Sequence, residues 1–135
     1  MSKHIRQPRH KELSSDEAIT AAKGALRKRQ DFLFGNTKLE SEFMELELLT
    51  VSERLSAVDD ALSQICAKDR MGPQPPNNIS VPPYGGETLY AFGWKSSTYG
   101  SVYLKFCLVG TTGLDHLVLH SFHVEREKAD EITKI

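Results

Sequence analysis

The sequence is poor in cysteine and has no long apolar run. Its two cysteines, Cys66 and Cys107, stand far apart without a CxxC spacing or a cluster of metal ligands, so neither a disulfide framework nor a zinc site is indicated. No window approaches the roughly 20 apolar residues that a membrane-spanning helix needs, and residues 1–30 contain no apolar run of the signal-peptide type. We therefore expect a cytoplasmic protein without a membrane partner.

The familiar catalytic motifs are missing as well. The chain has no Walker loop, no glycine fingerprint for dinucleotides, no HExxH and no GxSxG, so we expect no cofactor. Three neighbouring histidines, His116, His120 and His123, suggest a metal site at first. Strand alternation, however, places His123 on the opposite face from the other two, so we expect no metal site on this strand.

Charge is unevenly distributed along a chain of 135 residues whose net charge is −1. Residues 1–30 carry eight Lys or Arg and three acids, a net charge of +5, whereas residues 31–71 carry four and nine, a net charge of −5. The length is that of one domain. We predict a flexible basic arm at residues 1–11 and a single domain at residues 12–135. The arm could be a phosphate-tracking segment for RNA or a solvated terminus.

Two capping boxes mark helix starts. Ser14 with Glu17, and Thr50 with Glu53, place a hydroxyl and a carboxylate three residues apart, which satisfies free amides at a helix N-terminus. In the segment between these two boxes, the apolar periodicity of residues 39–49 fits either a helix or a strand, and we favour a helix. The apolar stripes are Ala18, Ile19, Ala22, Ala25 and Leu26 in the first helix and Val51, Leu55, Val58, Leu62 and Ile65 in the later one.

Basic residues gather at the end of the first predicted helix. Lys23, Arg27, Lys28 and Arg29 stand in or just after its last turns, where cations interact favourably with the helix dipole. The same cluster could bind the phosphate groups of RNA. Both explanations stay open.

A proline-rich loop divides the chain. Residues 72–86 hold five of the six prolines and no formal charge, which excludes helix and interior strand. After it, residues 88–94 read as a strand and residues 99–126 as an antiparallel hairpin with a turn at residues 110–113. The expected fold class is α+β, with two or three N-terminal helices packed on one face of a small three-stranded antiparallel sheet.

The hairpin carries the side chains that could do chemistry. Tyr103, Lys105, His120 and Arg126 lie among its alternating apolar residues. Groups of these types can cleave RNA without a metal by activating the 2′-hydroxyl, stabilising charge on the phosphate and protonating the leaving oxygen. The alternative is that Tyr103 and Lys105 are ordinary residues of a solvent-facing strand.

Two segments of this hairpin resemble the end of toxins of the MqsR family. YGSVYLKFCL at residues 99–108 and LVLHSF at residues 117–122 are similar to the family pattern G-x-V-Y-L-K-(apolar) followed by L-x-V-S-F. The helix start at residues 49–53 is similar too, and residues 119–122 resemble the final strand of the related RelE and HigB toxins. The resemblance implies a toxin of a toxin–antitoxin system. Such a toxin is a metal-independent endoribonuclease that cuts mRNA, inhibits translation and is silenced by a cognate antitoxin.

The resemblance also implies roles for single residues. Tyr103 matches the family's functional tyrosine and Lys105 the lysine beside it, while Glu87 falls where the family has a glutamine. The family's catalytic lysine would fall near residues 59–60, which are aspartates here, and Lys95 is expected to replace it in space. The candidate catalytic residues are Tyr103, Lys105, His120 and Lys95, and the candidate RNA-binding residues are Arg126, Lys28, Arg29 and Arg9.

The acidic middle of the chain favours a different class of function. Its charge would suit a non-enzymatic protein-binding module that meets a basic target through the acidic helical segment. An immunity protein, an antitoxin or a phage-encoded inhibitor would be of this class. The hairpin motif favours the ribonuclease, and both hypotheses are carried forward.

Overall fold

The computed structural model describes residues 12–28, 33–34, 38–72, 79, 87–109 and 116–125, with 33–34 described by their backbone alone. The predicted basic arm, most of the loop at residues 72–86 and the predicted turn at residues 110–113 lie outside these ranges. No helix within them is long and apolar enough to cross a bilayer.

The fold is α+β, as expected, and its three helices precede the three long strands. The helices are α1 Ser15–Lys28, α2 Lys38–Glu45 and α3 Val51–Gln64. The strands are β1 Leu33–Phe34, β2 Arg70–Met71, β3 Tyr90–Ser96, β4 Gly100–Val109 and β5 His116–Val124, and a 3-10 turn at Ala67–Asp69 leads into β2.

The sheet contains more strands than the three predicted. Its order is β1-β5-β4-β3-β2. Neighbouring strands from β5 to β2 are antiparallel, and β1 pairs in parallel with β5. The three predicted strands are β3, β4 and β5. The two additional strands, β1 and β2, have two residues each, which is too short for an alternation to be visible in the sequence.

The helix α1 begins at its predicted capping box. The Ser14 amide donates to Glu17 Oε1 at 2.9 Å, and the Glu17 amide donates to Ser14 Oγ at 3.1 Å. Just before the box, the Leu13 amide donates to the Tyr90 hydroxyl oxygen at 3.0 Å, which connects the helix start to β3. The predicted apolar stripe of α1 is buried throughout.

The helix α2 confirms the helical interpretation for residues 39–45, and a Schellman motif ends it. The Leu48 amide donates to the Phe43 carbonyl and the Glu47 amide to the Met44 carbonyl, both at 2.9 Å. Glu47 has a φ of 62°, the left-handed conformation that glycine adopts without strain. A glutamate therefore occupies a position that favours glycine.

The helix α3 starts at the second capping box, because the Glu53 amide donates to Thr50 Oγ1 and the Glu53 carboxylate accepts from the Thr50 and Leu49 amides. These backbone hydrogen bonds lower the pKa of Glu53. The predicted stripe is buried at Val58 and beyond, but Val51 is 61% exposed at the start of the helix.

The three helices cover one face of the sheet, as predicted, and share a single core with it. Phe122 of β5 lies with its ring centroid 5.6 Å from that of Phe43 in α2. The indole Nε1 of Trp94 donates to Gln64 Oε1 at 2.8 Å, which joins β3 to the end of α3. We refer to the opposite face of the sheet as the outer face. It carries Ala91, Gly93 and Lys95 on β3 and Ser101, Tyr103, Lys105, Cys107 and Val109 on β4.

Candidate functional site

A β-bulge in β5 decides which side chains meet on the outer face. Phe106 of β4 pairs with Leu119 and Lys105 pairs with Ser121, so His120 is an extra residue in β5. A single extra residue shifts the alternation of the strand by one position. The side chains that follow the bulge therefore exchange faces relative to a regular strand.

The bulge corrects the expected arrangement of the histidines. His123 pairs with Tyr103 and contacts its ring, so it lies on the outer face together with His116 and His120. The prediction that His123 points to the other face was wrong because it assumed an unbroken alternation. Within the described ranges, no three His, Cys, Asp or Glu side chains are grouped closely enough to hold a metal ion.

Tyr103 and His123 form a ring pair at the centre of the outer face. Their centroids are 5.4 Å apart and their planes are tilted by 39°. Nδ1 of His123 lies 2.9 Å from the Val124 carbonyl oxygen. Since a carbonyl can only accept, Nδ1 carries the proton, and in the neutral ring Nε2 is a proton acceptor. Burial raises the pKa of the Tyr103 phenol, so the hydroxyl keeps its proton at neutral pH.

Lys105, His120 and Cys107 form a second group beside this pair. Burial, assisted by the positive charge of Lys105, lowers the pKa of His120 from its ordinary value of 6.5 to about 4. Its Nε2 lies 3.6 Å from Sγ of Cys107, a buried thiol. His120 is therefore uncharged at neutral pH, and Lys105 provides the positive charge of this group.

A cavity of about 280 Å³ opens on the outer face at the β2–β3 edge. It is lined by Lys68, Asp69, Arg70, Met71, Gly93, Trp94, Lys95 and Glu125. Gly93 pairs with Tyr103 across the strands, so the cavity borders the Tyr103–His123 pair. Two lysines and one glutamate thus lie next to a tyrosine and a histidine.

The structure brings four of the candidate residues to one face. Tyr103, Lys105, His120 and Lys95 all lie on the outer face, where His123 rather than His120 contacts Tyr103. Lys28 lies apart from them, at the exposed end of α1 in the helical layer. The remaining candidates, Arg9, Arg29 and Arg126, lie outside the described residues.

The basic end of α1 has a structural partner. Nε of Arg27 lies 2.9 Å from Oδ1 of Asp59 on α3, and its Nη2 donates to Ser63 Oγ at 3.1 Å. The ion pair raises the pKa of Arg27. Arg27 therefore joins two helices, which supports the structural explanation of this cluster for that residue. Glu87, which the resemblance aligns with a functional glutamine, is fully buried.

Sequence reasoning missed His123 and Glu125 as residues of this face. One signal in the sequence could have revealed His123. Leu117 and Leu119 are two residues apart, as in a regular strand, but the next core residue, Phe122, comes three residues later. Such a change of phase within one strand indicates a bulge. No comparable signal exists for Glu125, which the fold brings to the cavity from the far end of β5.

Comparisons of the chain with protein-family models, with curated proteins and with solved structures found no match. The resemblance to MqsR-type toxins therefore rests on the residues of the hairpin and stays a prediction.

Proposed function

We propose that this protein is a metal-independent endoribonuclease of the toxin type, which cuts mRNA on the outer face of its sheet. The observation that carries the proposal is the Tyr103–His123 ring pair, which lies on one face with Lys95 and Lys105. These groups are the ones that metal-free cleavage of a phosphodiester needs in one place.

The groups can take complementary roles in such a step. The phenol of Tyr103 is protonated and can donate a proton to a leaving oxygen. Nδ1 of His123 is engaged by the Val124 carbonyl, which leaves Nε2 as the nitrogen that can exchange a proton with Tyr103 or with RNA. Lys95 and Lys105 supply positive charge for the phosphate oxygens as charge develops on them.

The charge distribution supports RNA binding at this face rather than at the helices. Lys68, Lys95 and Lys105 stand in or beside the site, against Asp69 and Glu125. The segment 38–64, which forms α2 and α3, holds seven acids and two Lys or Arg. A polyanion is attracted to the lysines and repelled by the acidic helices.

Cleavage of a labelled mRNA in the presence of EDTA tests the proposal. We expect wild-type protein to cut the RNA without added metal, and Tyr103→Phe and His123→Gln to lose activity by about 10²-fold or more, the usual contribution of acid–base groups. His116→Gln is the matched control, because His116 lies on the same strand and face but pairs with Val109 at the far end. Equal activity of all four proteins, or no cleavage by the wild type, would refute the proposal.

The toxin assignment adds a cellular expectation. Expression of the wild-type chain should arrest growth and translation, Tyr103→Phe should not, and co-expression of a cognate antitoxin should restore growth. If the Tyr103→Phe variant arrests growth as strongly as the wild type, the cellular effect does not depend on the proposed chemistry.

One observation favours the second hypothesis, a protein-binding module. Three apolar residues near the junction of α2 and α3 are strongly exposed, Met44 by 52% and Leu49 and Val51 by 61% each. Exposed apolar side chains that lie together can mark an interaction surface, and the acids around them would attract a partner of positive charge. If binding alone explains a cellular effect, Leu49→Ser with Val51→Ser will abolish that effect while Tyr103→Phe leaves it intact.

A further inference from the structure

Gly93 leaves room for a carboxylate on the outer face. A Cβ atom at this position would lie 3.1 Å from Oε2 of Glu125 and 3.2 Å from Sδ of Met71, closer than side chains normally approach. Glycine weakens the interior of a strand and often marks a place where another group approaches the backbone closely. Here the approaching group is the carboxylate of Glu125.

This carboxylate lies beside the Tyr103–His123 pair on the outer face. Gly93 pairs with Tyr103, so the carboxylate above Gly93 and the phenol occupy neighbouring positions on the same face. The backbone of Glu125 is fixed, since its amide donates to the Ser101 carbonyl at 2.8 Å. Among the described residues, however, no hydrogen bond or ion pair engages its side chain. Within the part of the chain that the structure describes, both carboxylate oxygens are thus unpaired and lie at the cavity.

We infer that the cavity holds the ribose on the 5′ side of the cleaved phosphate and that Glu125 is the general base for its 2′-hydroxyl. This inference rests on the proposed ribonuclease function. It adds the identity of the general base and the position of the ribose on which that base acts. The cavity, at about 280 Å³, is slightly smaller than typical sites for whole small molecules, and a single sugar ring suits it. Lys68 and Lys95 line the same cavity and would face the phosphates on either side of the ribose.

The chemical step balances without a metal or an added reactant. The 2′-hydroxyl gives its proton to the Glu125 carboxylate while the 2′ oxygen forms a bond to phosphorus. The bond from phosphorus to the 5′ oxygen breaks, and that oxygen takes a proton from the Tyr103–His123 pair. The products are a 2′,3′-cyclic phosphate and a 5′-hydroxyl. Because the base acts on the 2′-hydroxyl, DNA of the same sequence binds but is not cut.

The test uses the full-length chain and a short RNA that the wild type cleaves, together with the same RNA carrying a single 2′-deoxy nucleotide at the cleaved position. We expect Glu125→Gln to lower kcat by about 10²-fold or more with KM nearly unchanged, and Glu125→Asp to recover part of the rate. In Glu125→Ala, added formate should restore activity, because it can occupy the vacated space and accept the proton. Asp60→Asn, which changes an exposed carboxylate on α3, is the control and should retain full activity.

The outcomes separate this inference from the proposed function. Cleavage by wild type with an equally active Glu125→Gln variant overturns the role of Glu125 and leaves the ribonuclease standing. A variant that raises KM without lowering kcat, or cleavage of the 2′-deoxy substrate at the same bond, also overturns it. Absence of cleavage by the wild type overturns both. Matching thermal unfolding midpoints of the variants and the wild type exclude a loss of fold as the cause.

Discussion

The amide of Phe122 in β5 donates a 2.9 Å hydrogen bond to Oε1 of Glu42, a glutamate of α2 that is 6% exposed. The other carboxylate oxygen lies 3.3 Å from Nζ of Lys38. The side chain of Glu42 thus accepts a hydrogen bond from a backbone amide of β5 that has no acceptor in β4. This contact joins the helical layer to the strand that carries His123.

Replacement of Glu42 should therefore destabilise the fold. We expect Glu42→Ala to lower the free energy of unfolding by about 1–3 kcal/mol, because it leaves a buried amide without an acceptor. Glu42→Gln keeps an acceptor oxygen and should cost less. Urea unfolding of both variants measures the difference, and an Ala variant as stable as the Gln variant would contradict the argument.

The left-handed residue at the end of α2 offers a stabilising substitution. Glu47→Gly should raise the free energy of unfolding by about 1 kcal/mol, since glycine adopts a φ of 62° without the steric cost that a Cβ brings. The control is Glu45→Gly in the last helical turn, which should cost about 1 kcal/mol as glycine does inside helices. Thermal or urea unfolding would show opposite signs for the two changes.

The lowered pKa of His120 predicts a dependence of stability on pH. Between its ordinary pKa of 6.5 and the folded value of about 4, the unfolded chain binds a proton that the folded protein does not. The contribution of His120 to stability is therefore fully present above pH 6.5 and is lost as the pH falls towards 4. We expect His120→Gln to be less sensitive than wild type when urea midpoints are compared at pH 7 and pH 5.

His116→Gln serves as the matched control for that experiment and should keep the wild-type sensitivity to pH. A direct NMR titration of the imidazole of His120 provides an independent check. A midpoint near 6.5 would show that the side chain is not desolvated as described.

The basic arm can be tested by deletion. Removing residues 1–11 eliminates four Lys or Arg, including the candidate RNA-binding residue Arg9. If these residues contact RNA, the dependence of log affinity on log salt should flatten by roughly 0.7 for each lost phosphate contact on a single strand. The free energy of unfolding should change by no more than about 0.5 kcal/mol. Equal salt slopes with and without the arm would remove the arm from the RNA-binding surface.

Local features of this chain could be predicted from its sequence because their causes lie within a few residues. Both capping boxes, at Ser14–Glu17 and Thr50–Glu53, join side chain and backbone three residues apart, so the sequence contains both partners. The strands β3 to β5 were visible because their core residues alternate. In contrast, β1 and β2 form only where neighbouring strands supply their hydrogen bonds.

The part of the candidate site that depends on a local pattern could also be predicted from the sequence. Tyr103 and Lys105 share a strand, so their common face followed from alternation alone. His123 could be placed on that face only with knowledge of the bulge, and Glu125 only with knowledge that its side chain crosses to Gly93. The ion pair of Arg27 with Asp59 likewise joins residues 32 positions apart, a distance that no local pattern spans.

The extra residue in β5 also determines how this strand tolerates changes in chain length. In a regular strand, deletion of one residue sends every later side chain to the opposite face. Deletion of His120 would instead leave Leu119 opposite Phe106 and Ser121 opposite Lys105, with Tyr103 still facing His123. Related sequences can therefore differ in length by one residue at this position and still present the other side chains of the outer face, and an alignment of such chains should place its gap at residue 120.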